Sequence, residues 1–62
     1  MNELIEKIQM GQEITIYGNT RIESGIIKGI CRMNESIVAL MNESRQWFTI
    51  CKENLHMIKA II

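Results

Sequence analysis

Thirteen of the 62 residues are isoleucine, while Tyr17, Trp47 and Phe48 are the only aromatics. A β-branched side chain is stiff about χ1, mildly disfavours helix and packs well on a pleated, half-buried surface. With no proline anywhere in the chain, a mainly β body is the first expectation. From Gln12 the apolar period is two. Ile14 and Ile16 point one way and Glu13, Thr15 and Tyr17 the other, which marks a first strand.

The segment before it has a different period. Met1, Leu4, Ile5 and Ile8 fall within one stripe about 100° wide on a helix, with Glu3, Glu6, Lys7 and Gln9 facing away. Asn2 can cap this helix, Glu3 and Lys7 form an i,i+4 pair, and Gly11 can take the left-handed conformation that ends it. After the first strand, Gly18, Asn19 and Thr20 are turn residues, and a second strand is predicted from Arg21 to Cys31. Its Gly25 and Gly29 are four apart, hence expected on one face, where they allow strong bending.

The tetrapeptide Met-Asn-Glu-Ser occurs at 33–36 and again at 41–44. Asn and Ser side chains stabilise chain reversals by bonding nearby backbone, so the repeat reads as two turns around a third strand, Ser36 to Met41. A fourth strand follows at Gln46 to Cys51, then a short connection through Lys52, Glu53 and Asn54, then a fifth strand from Leu55 to Ile62. The predicted fold is one domain over 1–62, with a helix at about 2–10 and five strands at about 12–62. The strands form a strongly bent antiparallel sheet or small open barrel.

A chain this short buries only roughly 60 % of the surface its unfolded form exposes, and small domains commonly add disulfides, a metal or neighbouring subunits. Cys31 and Cys51 allow at most one bridge and lack the spacing of a zinc site. Both are expected to be buried as small apolar residues. Nothing resembles a signal peptide or a membrane span, so a cytoplasmic location without membrane contact is expected. Seven Lys plus Arg balance seven Glu, so no long-range field attracts nucleic acid and any such binding must be local. The last segment, Met57 to Ile62, is apolar on both faces apart from Lys59. An exposed edge strand of that kind templates aggregation. The last strand is therefore expected to close on the first, leaving the fourth with a free edge that a neighbouring copy covers, which predicts a homo-oligomer.

This order of elements resembles the Sm-like family and, within it, the bacterial RNA chaperone Hfq. Glu13-Ile14-Thr15-Ile16-Tyr17 followed by Asn19 is similar to the family's first strand and loop. Gly25-Ile26-Ile27-Lys28-Gly29-Ile30 is similar to its second strand, and Cys51 to Ile58 falls where the family carries a Tyr-Lys-His triplet before its last strand. The resemblance implies a cytoplasmic ring, typically a hexamer, that binds adenine-rich or uridine-rich single-stranded RNA, helps RNAs pair and regulates gene expression after transcription. On the matching positions it implies an RNA-binding set of Tyr17, Asn19, Arg21, Ile22 and Ser24 on one face, with Tyr17 as the stacking platform. Lys52 would line the pore on the other face. Of the triplet only Lys52 is kept, since Cys51 replaces the Tyr and Glu53 the His. Glu53 sets a negative charge beside Lys52 and should weaken pore-side binding.

The remaining residues point to little chemistry. Trp47 and Phe48 are adjacent on a strand, so one faces in and one out. His56 has no second His, Asp or paired Cys at ligand spacing, so no metal or other cofactor is expected. One His, no Asp, no phosphate-cradling glycine loop and no carboxylate pair in a plausible cleft give no basis for an enzyme. Two rivals to the RNA-binding ring follow from the same residues. One is an oligomeric protein-interaction scaffold of the same fold without RNA affinity, and the other is a ring that captures a small nucleotide between subunits.

Overall fold

A computed structural model describes residues 3–18 and 20–62. Five strands make one antiparallel sheet: β1 Glu13–Tyr17, β2 Ile22–Cys31, β3 Ser36–Met41, β4 Trp47–Ile50 and β5 Ile58–Ile61. Their spatial order is β4-β3-β2-β1-β5, so the sheet is open and β4 and β5 are its two edges. The last strand does lie on the first, with Ile14 opposite Ile61 and Ile16 opposite Ile58. A short helix, α1 Glu3–Lys7, precedes the sheet.

The period-two pattern decides which face is the core. Ile14 and Ile16 of β1, Ile27 of β2, Ile37, Ala39 and Met41 of β3 and Ile50 of β4 are all buried, and Ile5 and Ile8 from the amino-terminal segment close the cluster. Among the described residues no polar or charged side chain is buried there. Fully burying one such isoleucine stabilises by roughly 1.5–3 kcal/mol relative to leaving it exposed, so the regular placement of isoleucine holds this small sheet together.

The helix is shorter than the sequence predicts. The helical stripe is right for Ile5 and Ile8, but regular helix stops at Lys7, and residues 8–12 run on as a turn that bonds to β2 through Gly11 N–H to Ile27 O and Ile27 N–H to Gln12 O, both 2.9 Å. Gly11 has φ +90°, the left-handed conformation expected of the residue that ends this segment. The carbonyls of Ile5, in the helix, and Ile8, just after it, accept hydrogen bonds from the guanidinium of Arg32, the second at 3.0 Å. Met1 and Asn2, part of the predicted stripe and cap, lie outside the described residues.

Three further expectations are corrected. Gly25 and Gly29 do not share a face. The β2–β3 register shifts between Ile27 and Gly29, so Gly25 pairs with Met41 of the core row and Gly29 with Val38 of the opposite row. Leu55 to Met57 are not strand. The chain must cross from the β4 edge to the β5 edge, and it does so in a 3₁₀ segment, Lys52–Met57, before β5 begins at Ile58. Cys31 and Cys51 are free and exposed rather than buried, because each falls at a strand end on the row opposite Ile30 and Ile50.

Candidate nucleic-acid interface

The same register that buries Ile14 and Ile16 turns Thr15 and Tyr17 outward, away from the core. Across the β1–β2 ladder Tyr17 faces Ile22 and Thr15 faces Ser24. Tyr17 is 48 % exposed and Ile22 51 %, so one aromatic ring and one aliphatic side chain stand open at the same end of the sheet. Beside them the hydroxyls of Thr15 and Ser24 are 3.0 Å apart and share a hydrogen bond. A tight turn brings β1 into β2, with Gly18 N–H donating to Arg21 O at 2.7 Å.

Next to Ile22 is a pocket of about 170 Å³ lined by Ile22, Glu23, Ser24, Asn42 and Glu43. It forms because the β3–β4 turn folds back on the start of β2, where Asn42 N–H donates to Ser24 O at 2.9 Å. Arg21 joins the two carboxylates, with its guanidinium 3.5 Å from Glu23 and 3.4 Å from Glu43. One cation therefore serves two anions, and these half-exposed pairs add little to stability. The hydroxyls, carboxylates and amide around this pocket are hydrogen-bonding groups, and the open ring of Tyr17 is a stacking surface. Tyr17 does not itself line the pocket, and Ile22 stands between the two.

Of the RNA-binding set expected from the sequence, Tyr17, Ile22 and Ser24 lie together on this outer surface, while Arg21 pairs with Glu23, which faces Ile16 of the core row, and lines the cavity beside Met41 and Phe48. Asn19 lies outside the described residues. Lys52 is exposed but not part of the cluster. It follows β4 at the end where Ile50 pairs with Ile37 and Ile37 with Ile30, toward the opposite end of β2 from Ile22. Asn42, Glu43 and Thr15 were not singled out. The second Met-Asn-Glu-Ser tetrad marks the turn of Asn42 and Glu43, but the pairing of Gly25 with Met41 that brings it beside Ser24 is a register the sequence does not show.

A wider, more open cavity of about 430 Å³ lies among Thr20, Arg21, Glu23, Met41, Ser44, Gln46 and Phe48. Trp47 faces outward, 63 % exposed, while Phe48 packs on the core. Among the described residues no group of three His, Cys, Asp or Glu could hold a metal ion, and no helix is long and apolar enough to cross a membrane. No protein-family model, no curated protein and no solved structure matches this chain.

Proposed function

We propose that the protein is a small Sm-like, Hfq-type RNA-binding protein, a cytoplasmic homo-oligomeric ring, hexameric in the family manner, that binds single-stranded RNA and acts as an RNA chaperone in post-transcriptional regulation. The observation that carries the reading is the open Tyr17–Ile22 pair beside the polar pocket. Stacking a base on an aromatic ring contributes roughly 1–3 kcal/mol and tolerates any base. A ring repeats that contact and gains avidity from it. A neutral subunit can then bind RNA without a basic surface.

Support for the ring comes from the two sheet edges. β4 and β5 each offer one unpaired side, and β5 is rich in isoleucine. Pairing β4 of one copy with β5 of the next leaves no free edge once the ring closes. Lys52 belongs to the other side of this reading, as a weak pore contact beside Glu53.

The protein-interaction scaffold stays as a second reading because Arg21 is already occupied by Glu23 and Glu43, which leaves little free positive charge at the site. Filter binding of labelled oligo-A and oligo-U at two salt concentrations separates the two. The RNA-binding ring predicts retention at micromolar protein, with an affinity that falls only about threefold for a fourfold rise in salt if one phosphate is neutralised per site. No retention of either RNA, together with a protein partner that survives nuclease treatment in pull-down, overturns it in favour of the scaffold.

A further inference from the structure

The last strand departs from simple alternation. Thr15 of β1 faces Ala60 and Ile16 faces Ile58, so the β1–β5 ladder shifts register there and Lys59 is the extra residue of a bulge. Ile58 and Ile61 are three residues apart, a spacing that a regular strand sends to opposite faces. Yet both pack against the core, and Lys59 and Ala60 between them are both exposed. Ala60 stands opposite Thr15, on the face turned away from the buried Ile14 and Ile16. The bulge therefore sets Lys59 on that same outer face, and bulges recur where a side chain is re-aimed beside a functional site.

Tyr17 follows Thr15 on this face, and Lys59 falls between the levels of Thr15 and Ile16 on the adjacent strand. Diagonal neighbours on one face of such a ladder stand about 7–8 Å apart, within reach of a long side chain. Tyr17 is thus flanked by Ile22 from β2 and by Lys59 from β5. Lys59 has no ion pair among the described residues, whereas Arg21 is held by Glu23 and Glu43. Glu13, the acid of the same β1 row, lies on the far side of Thr15 from Tyr17, beside Ile62. An open ring with an uncommitted ammonium next to it matches a base and the phosphate a sugar's width away. We infer that Lys59 holds the phosphate of the nucleotide whose base stacks on Tyr17. The inference rests on the RNA-binding reading and supplies its electrostatic half: a chain of net charge zero meets a polyanion through one lysine per copy, repeated around the ring. Phosphate contacts fix position without reading sequence, so Lys59 sets affinity and leaves base preference alone.

The test is the salt dependence of binding, read by fluorescence anisotropy with labelled oligo-A and oligo-U between about 50 and 200 mM salt. Each phosphate neutralised on a single strand contributes a slope of about −0.7 in log affinity against log salt. Lys59→Gln is expected to flatten that slope to near zero, however many copies one strand touches. For a strand held at one site it should weaken binding about fivefold at about 0.1 M salt, the same slope carried to about 1 M, and equally for both RNAs. Lys59→Arg should keep the parent slope. Lys28→Gln, which removes an exposed lysine toward the other end of β2 from Ile22, should leave slope and affinity as in the parent. A slope unchanged in Lys59→Gln, or lowered as far by Lys28→Gln, overturns the assignment of Lys59 and leaves stacking on Tyr17 standing. Failure of the parent protein to bind either RNA overturns both.

Discussion

Tyr17 and Ile22 face each other as the last register pair of β1 and β2, each about half exposed on the side of the sheet that carries no core. Neither ring nor aliphatic chain is needed for packing, so truncation should separate function from stability. Tyr17→Ala is expected to weaken binding of single-stranded RNA about 5- to 150-fold, the loss of one stacked base, with unfolding free energy changed by less than about 1 kcal/mol. Tyr17→Phe should retain most of the affinity. Anisotropy titrations and urea melts of both variants check the two halves of this expectation.

The two strand glycines should respond differently to a methyl group. A Cβ on Gly25 would stand 2.6 Å from Leu40 O and 2.9 Å from both Met41 Cα and Met41 Sδ, whereas one on Gly29 would meet Val38 Cβ at 3.6 Å, an ordinary contact. The first obstacle is backbone and cannot move aside cheaply. Gly25→Ala is expected to destabilise by about 1–3 kcal/mol, and Gly29→Ala to stay within about 1 kcal/mol of the parent. Urea unfolding of the pair measures the contrast directly.

Arg32 ties the helix to the sheet. Its guanidinium donates to the carbonyls of Ile5 and Ile8, oxygens in the last turn of the short helix and just beyond it, where helix carbonyls lack internal partners and the dipole attracts a cation. Arg32→Ala should cost about 1–2 kcal/mol, at the low end for bonds from a charged donor because the side chain is exposed. Faster amide hydrogen exchange confined to residues 3–12 is the expected signature, and unchanged exchange there would show that the contacts of Ile5 and Ile8 suffice.

How far the sequence spoke depended on whether the determinant was local. Ile14 and Ile16 announced the core face of β1 and the paired tetrads bounded β3 at Ser36 and Met41, both from neighbours within a few residues, whereas the helix stops at Lys7, before the Gly11 expected to end it. The bulge that turns Gly29 away from Gly25 has no such local mark, because it follows from fitting β2 against β3. The 3₁₀ segment at Lys52–Met57 arises from the need to cross between opposite sheet edges, and the apolar spacing of Leu55, Met57 and Ile58 suits a strand equally well. At the site, the outward face of Tyr17 was legible from the period of two along β1, whereas Ile22 and Ser24 entered only through the family resemblance. Asn42 and Glu43 reach the pocket only through tertiary register. Left-handed turn positions fell to Glu35 and Arg45, not to the neighbouring asparagines whose chemistry favours them.

Cys31 pairs with Ser36, and Cys51 follows Ile50, which pairs with the neighbouring Ile37. The two thiols are therefore two strand spacings apart, with Cα atoms about 9–10 Å from each other, beyond the span of a disulfide. Oxidation of the exposed thiols should yield no bridge within one chain. Non-reducing electrophoresis and mass analysis after diamide treatment should show links between copies alone, and a monomer lighter by two hydrogens would contradict the strand register.

The central claim is that RNA is held on the outer surface around Tyr17 rather than around Lys52. Amide chemical-shift mapping during titration with a short single-stranded RNA tests it most directly. The account predicts shifts concentrated at Tyr17, Ile22, Ser24, Asn42 and Glu43, with residues 52–54 little changed. Shifts centred on Lys52 with Tyr17 unmoved, or no shifts anywhere at saturating RNA, would contradict it.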